Sequence, residues 1–172
     1  MKTRHGFTLI EMLVVVAIIL LLAGLLLPVI KQAIEQGRRT RALAEIKQVE
    51  TAWKEYKREY AKFYNPAVPD PILMDSNAVA VLSGLNTNLN PKAIQFLEGT
   101  PSASGMLDPW KAPYRVAFDD DRNGGKAFDN VIVLNDGTIT GKVYSSVAVW
   151  SKGRNTGSSA KDAKDDVTSW KK

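Results

Sequence analysis

Apolar and polar positions divide the chain into three stretches with different periods. Residues 12–30 (MLVVVAIILLLAGLLLPVI) carry no charge over 19 positions. At ~1.5 Å of rise each, and helped by the preceding FTLIE, they predict a helix able to cross a hydrocarbon core of roughly 30 Å. Residues 31–64 contain no proline, and Ala42, Ile46, Val49, Trp53, Tyr56, Tyr60 and Phe63 recur at alternating steps of four and three. That is one apolar stripe on an amphipathic helix, suited to cover a sheet. Glu35–Arg39, Arg41–Glu45 and Glu50–Lys54 stand four residues apart on its polar side, a spacing that pairs opposite charges. Asn65-Pro66 and the three prolines of PAVPDP then forbid helical continuation.

Beyond the prolines the runs are short. Asp75 or Ser76 predicts the cap of a brief helix reaching about Ser83 and stopped by Gly84, and residues 90–99 (NPKAIQFLEG) predict a loop followed by a strand. Residues 114–118 (YRVAF), 131–134 (VIVL) and 138–140 after the Asp136-Gly137 turn signal read as strands, and 147–150 as the last strand. The predicted fold is α+β: a long N-terminal helix, half transmembrane and half amphipathic, packed on a small antiparallel sheet.

Composition narrows the chemistry. The 172 residues include no cysteine, which excludes a disulfide framework and thiolate metal sites. His5 is the single histidine and lies before the apolar run, so a serine-hydrolase triad or a histidine-ligated metal in the body is excluded. The formal charge of +5 is unevenly placed: residues 65–172 hold twelve bases and twelve acids, whereas residues 31–64 hold nine bases and five acids. Because those bases alternate with acids and the aromatics occupy the apolar stripe, a nucleic-acid-binding helix is disfavoured.

Two residues set the apolar helix apart from a plain anchor or a secretory signal, for which no A-x-A-like cleavage site follows. Glu11 is a carboxylate beside a long apolar run, where ionised groups are costly and mark a function or a specific partner. Pro28, one turn after Gly24, removes a backbone hydrogen bond and predicts a kinked or loosened last turn.

The stretch KTRHGFTLIEMLVVVAIILLLAGLLLPVI resembles the N-terminus of type IV pilins and type II secretion pseudopilins. The resemblance implies cleavage between Gly6 and Phe7 by a prepilin peptidase, N-methylation of Phe7, and pairing of Glu11 with the N-terminal amine of a neighbouring subunit. It divides the chain into a leader (1–6), a transmembrane and assembly helix (7–30), an amphipathic stalk helix (31–64) and a periplasmic α+β head (65–172). It also implies a homo-oligomeric filament at the bacterial inner membrane, with minor pseudopilins and an assembly platform as partners. Lys2 and Arg4 favour an inside N-terminus, but Lys31, Arg38, Arg39 and Arg41 follow the span, so orientation rests on the resemblance.

Two further stretches are similar to the major pseudopilin. Residues 108–114 (DPWKAPY) resemble its DPWGxPY segment, with Lys111 in place of glycine, and Trp110 and Tyr114 read as packing at a loop–sheet junction. Residues 151–170 (SKGRNTGSSAKDAKDDVTSW) resemble its C-terminal calcium loop, which implies Asn155, Asp162, Asp165 and Asp166 as Ca²⁺ ligands. A loop ordered by the packing of Trp170 is the competing reading. A second acidic stretch, Asp119, Asp121 and Asn123 followed by Gly124, starts like an EF-hand loop but has Asn130 where the bidentate glutamate belongs, so a solvated turn competes with a metal site.

The expected function is that of a structural, non-enzymatic subunit of a type II secretion pseudopilus, driving protein export across the outer membrane. The alternatives are a type IV pilin for adhesion, motility or DNA uptake, and an enzyme or binding domain on an ordinary anchor. Pilins often fasten their last segment with a disulfide, which this chain lacks the cysteines to make.

Overall fold

A stripe repeating every three to four residues buries itself only against a surface of matching length, and the aromatic residues of residues 38–60 find one in the sheet that follows. The computed structural model describes residues 8–64, 71–98, 102–120, 132–135, 140–154 and 165–170. Helix α1 spans Leu9–Tyr60 and runs unbroken through Gly24 and Pro28. Loss of a single N–H is tolerated there without the helix ending. Strand β1 (Ile72–Leu73) and helix α2 (Ser76–Leu82) follow, then β2 (Arg115–Phe118), β3 (Ile132–Asn135), β4 (Thr140–Val143), β5 (Val147–Ser151) and β6 (Val167–Thr168). The chain divides into two units, residues 1–37 and residues 38–172.

In the second unit the strands form an antiparallel sheet in the order β1-β2-β5-β6, with β3 and β4 paired as a separate two-stranded sheet. All five residues of β5 are buried because both of its faces are covered. Val147 and Val149, with Val116 and Phe118 of β2, share a core with Ile46, Val49, Trp53 and Tyr56 of α1 and with α2. The alternate residues Ala117, Ala148 and Trp150 share a second core with Ile132, Leu134 and Val143. The two alanines leave room for that pair, which is why β3 and β4 form their own layer rather than extending the sheet on α1. β4 lies at Thr140–Val143, later than the predicted 138–140.

Two ends differ from the sequence-based expectation. The stripe helix stops at Tyr60, ahead of the prolines, with Ala61 in the left-handed region (φ 54°). The reversal lets Phe63 stack on Phe118 (centroids 4.6 Å apart) and Tyr64 on Trp53 (5.7 Å). Burial of two aromatic rings outweighs the roughly 1–2 kcal/mol of a left-handed alanine. Residues 90–98 form no strand; they are held instead by Asn90, fully buried, whose amide donates to the Val81 and Ile94 carbonyls at 2.8 and 2.7 Å. Its Oδ1 accepts from the Ile94 amide (3.1 Å) and the Tyr60 hydroxyl (2.5 Å). Asp75, one of the two predicted caps, accepts from the Ala78 amide at 2.8 Å to start α2.

Candidate functional site

The start of α1 is built by its own residues. The Thr8 amide and hydroxyl both donate to Glu11 Oε2 at 2.7 Å, and the Glu11 amide donates back to Thr8 Oγ1 at 3.3 Å. This is a capping box, which satisfies donors that a helix start otherwise leaves bare. The T-x-x-E spacing that signals it stands in the sequence at Thr8–Glu11. Glu11 is the sole charged residue from Thr8 to Ile30, and every large apolar side chain over that span is exposed. The helix is long and apolar enough to cross a membrane, and none of its most apolar window is buried. Pro28 lies within it; Gly6 and Phe7 lie outside the described residues.

The second site is the mouth of the C-terminal loop. β5 and β6 pair Trp150 with Thr168 and Ser151 with Val167, and the Ser169 amide donates to the Val149 carbonyl at 2.9 Å. Trp170 packs edge-on against Trp150, centroids 5.8 Å apart. Lys47 of α1 donates to the Ser169 carbonyl at 2.7 Å while pairing with Glu50, and Lys54 pairs with the same carboxylate, each at 2.7 Å. Burial alone would raise the Glu50 pKa, but the hydrogen bonds from Lys47 and Lys54 prevail and lower it.

Gly153 adopts φ +65°, and a Cβ there would overlap the Asp165 carbonyl, so the two strands of the loop touch at this point. Asp165 Oδ1 and both carboxylate oxygens of Asp166 are buried. Carboxylate and carbonyl oxygens are the donors that a hard cation takes, and the described residues supply two such carboxylates. Asn155 and Asp162 lie outside the described residues, and among those described no three His, Cys, Asp or Glu side chains gather at one point.

The DPWKAPY segment forms the turn that leads into β2. Asp108 Oδ1 accepts from the Trp110 and Ala112 amides, both at 2.9 Å, and its backbone closes the turn with Lys111 and Ala112. Lys111 takes φ 71°, the conformation that a glycine would adopt without strain. Asp108 Oδ2 accepts from the Ser151 hydroxyl at 2.5 Å, a link across 43 residues that no local pattern announces. Tyr114 is fully buried and donates to Glu45 Oε2 at 2.5 Å; burial first, then that bond and the Glu45 and Asp108 charges, push its pKa far up.

At the other acidic stretch, Asp119 is buried with Oδ2 3.9 Å from Lys57 Nζ, and Lys57 also lies over the Phe63 ring. Asp119 is thus engaged with α1; Asp121 and Asn123 lie outside the described residues.

Among known proteins, residues 1–27 match the family described as Prokaryotic N-terminal methylation motif. No curated relative and no solved structure matches. On an apolar helix able to cross a membrane, that motif is consistent with a membrane-anchored envelope protein and supports processing by a prepilin peptidase and assembly into a filament. Over residues 1–27 the chain is thus similar to the N-terminal segment of type IV pilin-like subunits.

Proposed function

We propose that this chain is a structural subunit of a type II secretion pseudopilus, most similar to its major subunit, and that it carries out no catalysis. What supports the reading most is Glu11, a lone carboxylate on an otherwise apolar exposed helix surface. Such a surface calls for lipid and neighbouring helices, and the carboxylate for a cation within that apolar surround. After cleavage between Gly6 and Phe7, the amine of Phe7 on a neighbouring subunit supplies that cation. The DPWKAPY turn beside a C-terminal loop and the lack of cysteine favour the secretion filament over a surface pilus. Disrupting the gene should trap exported proteins in the periplasm and leave surface fibres in place. Lost fibres with unchanged export would overturn the assignment.

Calcium belongs to the same proposal. Asp165 and Asp166, with Asn155 and Asp162, would hold the ion, which would neutralise their carboxylates. The full chain in detergent should melt at higher temperature in millimolar Ca²⁺, because an ion that binds only the folded state stabilises it. An unmoved melting temperature would remove calcium from the proposal and leave the filament assignment intact.

A further inference from the structure

We propose that Asp108 is a positioning residue for the C-terminal loop, acting through Ser151. The DPWKAPY turn needs only one carboxylate oxygen: Oδ1 takes both turn amides, Trp110 and Ala112. Oδ2 is surplus to the turn and is directed at Ser151 Oγ, the last residue of β5. Ser151 Oγ in turn accepts from the Gly153 amide at 2.9 Å. Gly153 is the residue packed against Asp165, and Ser151 is paired across the sheet with Val167. A relay of two hydrogen bonds thus runs from a turn before β2 to the point where the loop's two strands meet.

Each member is buried: Asp108 is 4% exposed and Ser151 is 0% exposed. A carboxylate this deep is stabilised by the donors around it, and a side-chain bond to a charged group is among the stronger ones in a protein. The serine hydroxyl has one proton and is committed to Asp108, which leaves its lone pairs for Gly153. The direction of every bond in the relay is therefore set by the carboxylate. With Ser151 fixed, Gly153 is held in its left-handed turn and Asp165 is held opposite it.

The link to the ion rests on the calcium reading above, but the relay does not. In the full chain in detergent, Asp108→Asn keeps an oxygen for the turn amides and puts an amide donor toward Ser151, whereas Ser151→Ala removes the relay outright. Both should speed hydrogen exchange at the Gly153 amide about tenfold or more and weaken Ca²⁺ affinity about tenfold, the loss of one charge-assisted bond. Exchange at Ala117 and Ala148 in the paired β2 and β5 should stay as in the parent, which shows the sheet intact. Ser151→Thr, which keeps the hydroxyl, should restore both readings. Unchanged Gly153 exchange in both variants would overturn the relay. If the parent chain fails to bind Ca²⁺, the calcium reading falls, and accelerated Gly153 exchange still upholds the relay.

Discussion

From Leu9 to Ile34 every large apolar side chain of α1 is exposed, whereas Ala42, Ile46, Val49, Ala52, Trp53 and Tyr56 of the same helix are buried. The first stretch is apolar on all sides and makes no core of its own; the second is apolar on one stripe and is covered by the head. Backbone conformation is the same in both, so what differs is only how far around the helix the apolar residues extend. A helix apolar all round is finished by lipid or by other helices, and one with a stripe is finished by its own chain.

Substitutions should separate the two stretches, beginning with the largest effect. Under the filament proposal, Glu11→Ala should abolish assembly, read as loss of cross-linked multimers in membranes, and leave the unfolding of the head unmoved; persisting multimers would break the comparison. Trp53→Ala should do the reverse, removing about 3–5 kcal/mol of head stability in urea unfolding while membrane fractionation is unchanged. Asn90→Ala removes one hydrogen-bond partner each from two carbonyls, an amide and the Tyr60 hydroxyl, a loss of roughly 2–3 kcal/mol in the same assay.

Titration of the head is a finer probe. The Glu50 pKa is lowered in the folded state, so its contribution is present above the ordinary carboxylate range and fades as pH falls through that range and below. The Tyr114 pKa is raised, so its contribution is full below about pH 10 and is lost above it. Glu50→Gln should flatten the acid side of a stability-versus-pH curve and Tyr114→Phe the alkaline side. The smallest effects are expected at two of the three left-handed non-glycine positions among the described residues, where Ala61→Gly and Lys111→Gly should each add ~0.5–1 kcal/mol.

How much of this was legible beforehand follows the range of the interaction. The stripe from Ala42 to Tyr56 and the β-branched and aromatic run at 147–150 are local patterns, and α1 and β5 stand where those patterns put them. The Arg41–Glu45 and Glu50–Lys54 pairs form at 2.7 Å for the same reason. β1 and β6 are two residues each, too short to carry a period, and exist because β2 and β5 offer edges. Asn90 and Asp108 look like ordinary turn residues; their reach to Tyr60 and Ser151 depends on the folded chain. The Thr8–Glu11 box is local too, its two residues standing three apart in the sequence.

The ion pairs of α1 will respond differently to ionic strength. Arg41 and Glu45 meet at the surface, Arg41 being 71% exposed, where salt with a screening length of about 8 Å at physiological concentration weakens them. Lys57, itself 24% exposed, lies over an aromatic ring and faces an Asp119 side chain with 0% exposure, where screening by salt is weaker. Raising the salt should therefore loosen the rim of the helix while its tie to the end of β2 holds, so the head keeps its grip on the helix across media of very different salinity.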